Sequence, residues 1–351
     1  MSGIRRKIIR GTLLVTAVTL IFISLPHIKQ ILLICNRTAF SGASSKNFSK
    51  IFPITIPIRT EFAHPKAEAY SVERKLLEKY EDRKQHVTSA CGESEKLKAT
   101  DKRLDHLLVD EKHKIVLCDI PKVGSTNWRR VFLIFAGLNE SIARTAFFVK
   151  VNEKLSAKYL RSLKSFNRDD REMIMSEYFK FMFVRDPLDR LLSAYKDRFV
   201  LKHSLAYKEI GPKIISMFRR PKNQFYWKRG RTKGVTFNEF LRYILTLKNF
   251  NTFNPHWMPY HTHCSPCGVS YDFIGKHETM NEDAKYILDK IGERNITFPS
   301  STHFDKVKTA KKYKPKGQYL SNIPVQILNK IFELYSKDYD LFQYTRTLPN
   351  L

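Results

Sequence analysis

The stretch Lys114-Ile115-Val116-Leu117-Cys118-Asp119-Ile120-Pro121-Lys122-Val123-Gly124-Ser125-Thr126-Asn127-Trp128 decides the fold. Its first seven residues form a short apolar, β-branched run of the kind buried in parallel sheets. The run passes straight into Pro121–Ser125 and then into a helix that carries Trp128, Val131, Phe132 and Phe135 on one side. A second unit repeats the design. Phe181-Met182-Phe183-Val184 is its strand, Asp186 its natural N-cap, and Pro187 takes the first helical position, where a missing N–H does no harm. Leu188, Leu191, Leu192 and Tyr195 line the helix that follows. Repeated strand–loop–helix units with apolar strands predict an α/β domain with a mostly parallel central sheet flanked by helices. Ile327, Leu328, Ile331, Leu334 and Tyr335 predict a further core helix near the C-terminus.

The first loop has the makings of an anion site. Gly124 permits close backbone approach, Ser125 and Thr126 supply hydroxyl and N–H donors, and the new helix turns its positive end toward the loop. Lys122 adds a mobile point charge. The spacing is not that of a Walker loop, and a plain turn with an incidental lysine fits these residues equally well. The second unit tips the balance. Arg185 stands at the carboxyl end of its strand, where ligands bind in open α/β sheets, and a guanidinium suits bidentate capture of phosphate. Ser193 lies two turns along the next helix. The competing reading of Arg185 is a surface ion pair with Asp186 or Asp189.

Composition sets the context. The 351 residues are 42% hydrophobic, enough for a packed core, and 62 basic residues against 34 acidic ones leave a net charge of +28. Such a field attracts polyanions. Arg5, Arg6, Lys7 and Arg10 precede an uncharged apolar run from Gly11 to Leu25, and Ile8 to Ile28 is long enough to cross about 30 Å of hydrocarbon. No small-x-small cleavage pattern follows the run, which favours an uncleaved anchor over a signal peptide. The expected layout is a cytoplasmic tail (1–10), a transmembrane signal-anchor (11–28), a luminal stem (29–90) and a luminal domain (91–351), with a helix over Ser71 to His86 inside the stem. A luminal domain meets glycans, not nucleic acid. Sequons at Asn36, Asn47, Asn139 and Asn295 agree, with Asn36 very near the membrane and N-glycans expected at Asn47, Asn139 and Asn295. Cys91, Cys118, Cys264 and Cys267 allow two disulfides in any of three connectivities, with Cys35 at the membrane edge.

Taken together, these motifs are similar to those of a known family. Ile120 through Val131 resembles the 5′-phosphosulfate motif of Golgi carbohydrate sulfotransferases, in the branch that contains the chondroitin, dermatan and N-acetylgalactosamine 4-O-sulfotransferases. Phe183 through Tyr195 resembles the 3′-phosphate motif of that family. Asn254-Pro255-His256-Trp257, Tyr271 through Lys276 and Asp338 through Tyr344 are similar to further landmarks in family order, so the resemblance covers Cys91 to Tyr344. It implies a P-loop-like sulfotransferase fold and 3′-phosphoadenosine-5′-phosphosulfate (PAPS) as sulfate donor, with no metal required. By the same resemblance Pro121, Lys122, Val123, Gly124, Ser125, Thr126 and Asn127 hold the 5′-phosphosulfate. Arg185, Asp186, Pro187, Leu188, Asp189, Arg190, Leu191, Leu192 and Ser193 hold the 3′-phosphate. The implied acceptor is a glycosaminoglycan, with position 4 of N-acetylgalactosamine in chondroitin first and dermatan or a uronic-acid 3-hydroxyl as alternatives.

Sulfuryl transfer asks for positioning and charge neutralisation more than for covalent chemistry. Lys122 is the candidate for stabilising charge on the leaving phosphate oxygen. An acceptor hydroxyl also needs a base, and His256 is the first choice, although Pro255 stands where the family usually has Glu. His261 and Glu278 are the reserves. His261-x-His263-Cys264-x-x-Cys267 invites a zinc reading, but only one cysteine pair is present and the lumen is oxidising, which favours disulfides. Two basic tracts, Arg219 to Lys233 and Lys306 to Lys316, suit an anionic sugar chain or a solvated loop equally. A non-catalytic luminal glycan-binding protein and a nucleic-acid-binding protein are the rival classes. Intact Lys122, Arg185 and Ser193 argue against the first, and the apolar N-terminus argues against the second.

Overall fold

Leu107–Asp110 (β1) and Ile115–Cys118 (β2) are buried at every position, as strands covered on both faces must be. The computed structural model describes residues 65–92, 102–147, 150–200, 205–219, 234–299 and 314–348. These residues fall within a unit spanning Pro65–Leu351. The predicted anchor at 11–28, Cys35, the sequons at Asn36 and Asn47, and nearly all of both basic tracts lie outside the described residues. Among the described residues no helix is long and apolar enough to cross a membrane.

Five strands form one sheet in the order β3-β1-β2-β4-β5, with β3 at Arg161–Ser162, β4 at Phe179–Val184 and β5 at Phe273–Lys276. The pairings β2–β4 and β4–β5 are parallel, as the two strand–helix units predict. On the other side of β2 the sheet is antiparallel, through β1–β2 and β1–β3. The sheet is therefore evenly mixed rather than mostly parallel. The reason is connection length: residues 111–114 form a four-residue turn between β1 and β2, too short for the crossover that a parallel pair requires.

The helix Ser125–Phe135 (α2) follows β2 and buries Trp128, Val131, Phe132 and Phe135 as expected. Trp128 packs against Phe181 and Phe183 of β4. Phe183 in turn lies flat over Gly275, where an added Cβ would come within 2.3 Å of its ring. Pro187–Tyr195 (α3) follows β4, with Asp186 accepting from the Asp189 N–H at 2.8 Å and Pro187 opening the helix. Its apolar face joins Phe237–Thr246 (α4) and Val325–Leu334 (α7) in a second core around Phe240, Trp257 and Ile331.

The helix Pro65–Ala90 (α1) contains the helix expected over Ser71 to His86. Tyr80 packs edge-on against Phe273 of β5 at 4.7 Å, and Arg83 pairs at 2.7 Å with Asp283, a fully buried carboxylate on Met280–Lys290 (α6). Through these contacts α1 covers the β5 edge of the sheet. Two disulfides, Cys91–Cys267 and Cys118–Cys264, resolve the three connectivities. The second ties the end of β2 to the short helix Tyr260–His263 (α5).

Gly275→Ala tests the packing of β5. Forcing a methyl into the Phe183 ring should cost about 1–3 kcal/mol, read as a lower urea midpoint with an unchanged slope. An unaltered midpoint would show that the ring is not held there.

Candidate active site

The turn at Pro121–Gly124 places two left-handed residues either side of Val123, Lys122 at φ 76° and Gly124 at φ 94°. A non-glycine residue in that region costs on the order of 1 kcal/mol and persists only where its surroundings impose it. Gly124 takes this conformation without a Cβ penalty, and a Cβ there would also sit 2.8 Å from the movable end of the Met280 side chain. Gly124 is the N-cap of α2 and carries no capping side chain. Its carbonyl accepts from Asn127 and Trp128, while the amides of Ser125 and Thr126 have no intrahelical acceptor. Those amides point the positive end of α2 at the mouth of the turn.

Arg190 sets the turn in place. This guanidinium is 2% exposed, donates to the carbonyls of Pro121 (3.1 Å), Met258 (2.6 Å) and Pro255 (2.9 Å), and lies over the Tyr260 ring. Arg129 adds a second brace, bonding Asp119 and, at 2.7 Å, the Asn152 carbonyl. The Thr126 hydroxyl is engaged with the Asn152 side chain, and Asn127 accepts from Arg130 at 2.8 Å. Val123 is core. Of the predicted 5′ loop, Lys122 and Ser125 are partly exposed, and the first amides of α2 have no intrahelical acceptor.

The 3′ motif divides in the same way. Pro187, Leu188, Leu191 and Leu192 are buried in the second core, and Arg190 is spent on carbonyls, so these positions brace the site. Asp186 caps α3, and Asp189 pairs with Lys316 at 2.5 Å. Arg185 is anchored by its backbone, whose N–H and carbonyl both bond the Tyr260 hydroxyl at 3.0 Å. Its guanidinium makes no ion pair among the described residues, against the competing reading of a pair with Asp186 or Asp189. Arg185 and Ser193 are both partly exposed.

Positive charge converges here. Burial holds the Lys122 ammonium below its ordinary value, and Arg198 and Arg185 add to the effect while Asp197 opposes it. Burial followed by Arg185 does the same to Lys196 and to His277. Lys122 Nζ donates to Asp197 Oδ2 at 3.0 Å.

His256 sits beside this cluster. Its Nδ1 lies 2.8 Å from Asn254 Oδ1, which fixes the proton on Nδ1, and its Nε2 lone pair accepts from Arg198 Nη2. The ring is neutral: burial first, then Arg198 and Lys122, push its pKa down to about 2. The reserve bases are otherwise committed. His261 Nδ1 bonds the buried Asp338 at 2.8 Å, and Glu278 accepts from the Asp186 N–H and the Tyr344 hydroxyl. Cys264 and Cys267 belong to separate disulfides, so neither offers a thiolate for the zinc reading, and His263 bonds the Asp119 carbonyl. Asn139 and Asn295 are both exposed.

Lys196, Asp197, Arg198 and His277 were not among the residues predicted for the site. The first three lie on a π-helical turn, Lys196–Val200, that directly continues α3. Widened turns of this kind often mark functional positions, but the change from α to π winding leaves no periodicity to read.

The profile of the Sulfotransferase family matches residues 105–345. Human carbohydrate sulfotransferase 8 is 30% identical over 278 residues, 77% of this chain and 64% of its own. Zebrafish carbohydrate sulfotransferase 14 is 34% identical over 70% of this chain and 64% of its own, and mouse carbohydrate sulfotransferase 11 is 30% identical over 76% of each. The match thus spans just under two thirds of the human and zebrafish relatives. No solved structure matches the chain.

The buried histidines predict acid sensitivity with a definite sign. Above the ordinary value of 6.5 His256 is neutral whether folded or not. As pH falls below 6.5, the unfolded chain takes up a proton that folded His256 refuses until about pH 2. Stability present above pH 6.5 is therefore lost on acidification, by up to ~1.4 kcal/mol per pH unit for each such histidine. His256→Gln should remove about one histidine's share of this slope between roughly pH 6 and 4. An imidazole NMR signal of His256 titrating near its ordinary value would contradict the geometry.

Proposed function

The chain belongs to the sulfotransferase family, and from that premise we propose that it transfers a sulfuryl group from PAPS to a hydroxyl of an anionic glycan. The observation that carries this is the pairing, at the carboxyl ends of β2 and β4, of a helix N-terminus bearing Lys122 with Arg185, a guanidinium without a carboxylate partner among the described residues. The family uses PAPS as donor. The residues fit such a group: the left-handed Lys122 and Gly124 bring backbone close to the mouth of the turn, and Lys122, Arg185, Lys196 and Arg198 bring positive charge to it. The amides of Ser125 and Thr126, the Ser125 hydroxyl and Lys122 would hold the 5′-phosphosulfate, and Arg185 with Ser193 the 3′-phosphate.

The donor supplies an activated sulfuryl group, whose bond to the phosphate oxygen breaks as a bond to the acceptor oxygen forms. Lys122 holds charge on the phosphate side, where an ammonium in a water-poor site acts more strongly than in bulk. His256 Nε2 takes the acceptor's proton once the donor's negative charge offsets the cations that depress its basicity at rest, and Asn254 keeps the other ring proton on Nδ1. Carbohydrate is the acceptor class named by the relatives. A net charge of +28 favours an anionic chain, with position 4 of N-acetylgalactosamine in chondroitin first and dermatan or a uronic-acid hydroxyl next. The basic tail, the apolar run at 11–28 and the two disulfides support a single-pass type II protein with its catalytic domain in the Golgi lumen.

Radiolabelled PAPS with a panel of desulfated polysaccharides tests the assignment. Label should enter a glycosaminoglycan. Lys122→Ala and Arg185→Ala should each lower kcat/KM by about 10²–10³ or more with unchanged thermal melts. Full activity in either variant would sink the proposed site.

A further inference from the structure

One carboxylate oxygen near the 5′ loop serves two cations. Asp197 Oδ2 accepts from Lys122 Nζ at 3.0 Å and lies 3.6 Å from Arg198 Nε. The Arg198 Nε–H is buried and has no hydrogen-bond acceptor. At its other end, Arg198 Nη2 donates to the Nε2 lone pair of His256, a neutral ring. A finished structural ion pair looks different. A buried guanidinium ordinarily satisfies its planar fork of donors on carboxylates, phosphates or carbonyls, as Arg190 does eight residues earlier on α3. Arg198 leaves one N–H unanswered and spends another on an imidazole, while Lys122 leans on a carboxylate in a loop otherwise built for anions.

These oddities share one explanation. We propose that Asp197 is the resting site's own anion, holding Lys122 until a phosphate takes its place, and that Arg198, leaving His256 in the same exchange, becomes a further contact to the donor. Given the PAPS reading above, the exchange has two consequences. Asp197 competes with the donor, so apparent affinity is set below what the cations alone would give. His256 Nε2, stoppered by Arg198 at rest, is uncovered only when an anion has drawn Arg198 away, which delays proton acceptance until the donor is in place. Asp197 and Arg198 stand on the π turn Lys196–Val200 at the end of α3, so a modest rewinding of that turn moves both together.

Calorimetric titration with 3′-phosphoadenosine 5′-phosphate, the donor without its sulfuryl group, separates the possibilities without relying on turnover. Asp197→Asn, nearly isosteric, should bind this nucleotide about ten-fold tighter than the unaltered chain, a gain of ~1.4 kcal/mol. Arg198→Ala should bind it about ten-fold or more weakly, and Arg198→Lys should recover most of that loss. Without nucleotide, diethyl pyrocarbonate should acylate His256 faster in Arg198→Ala than in the unaltered chain, as followed by peptide mass spectrometry. Thermal melts check folding, and if Arg198→Ala does not fold, the intermediate affinity of Arg198→Lys carries the test. Binding in Asp197→Asn that is equal or weaker would overturn the proposal, because the carboxylate would then serve only to keep Lys122 charged and placed. Unchanged binding in the Arg198 variants would overturn it as well. Failure of the unaltered chain to bind the nucleotide at all would instead overturn the PAPS reading on which it rests.

Discussion

The three bonds from the Arg190 guanidinium to the carbonyls of Pro121, Met258 and Pro255 are the constraint on which the site depends. They join the loop after β2, the helix after β4 and the segment bearing His256, three stretches more than sixty residues apart in sequence. No carboxylate accompanies this buried charge in those bonds; the carbonyl dipoles and the Tyr260 ring stand in for water. Each carbonyl left unanswered would cost roughly 1–3 kcal/mol, so the arrangement is held as a unit. Tyr260 extends the unit to Arg185 through both its backbone groups, and the Cys118–Cys264 disulfide fastens the same neighbourhood to β2.

Around that frame the chemistry is one of excess cation. Lys122, Arg185, Lys196 and Arg198 gather where the positive end of α2 already points, and burial makes their mutual repulsion felt. Such an arrangement is stable only with anions near by. Asp197 supplies part of that need, and a doubly phosphorylated nucleotide would supply the rest. The strained left-handed Lys122 and the left-handed Gly124 fit the same logic, since both bring backbone amides close to whatever anion occupies the turn.

Much of this was legible in the sequence because local rules and tertiary structure agree. The apolar runs at Ile115 and Phe181, the Asp186–Pro187 start of α3 and the buried face of Trp128 follow from periodicity and capping alone. The antiparallel half of the sheet did not show, because β1 is four residues long and β3 only two. The packing of α1 over β5 was missed for a similar reason: its contact depends on Tyr80, Arg83 and a partner carboxylate some 200 residues on. Motif resemblance treated Arg185 and Arg190 alike, yet one is partly exposed and the other is sealed among carbonyls. Asp197 and Arg198 were hidden by a change in helical winding that no spacing of residues announces.

The most direct measurement is a structure of the chain with 3′-phosphoadenosine 5′-phosphate bound. If the site is as described, the 5′-phosphate lies on the Ser125 and Thr126 amides with Lys122 turned toward it, and the 3′-phosphate is held by Arg185 near Ser193. A nucleotide seated elsewhere, or one that leaves Arg185 without a phosphate contact, would contradict it.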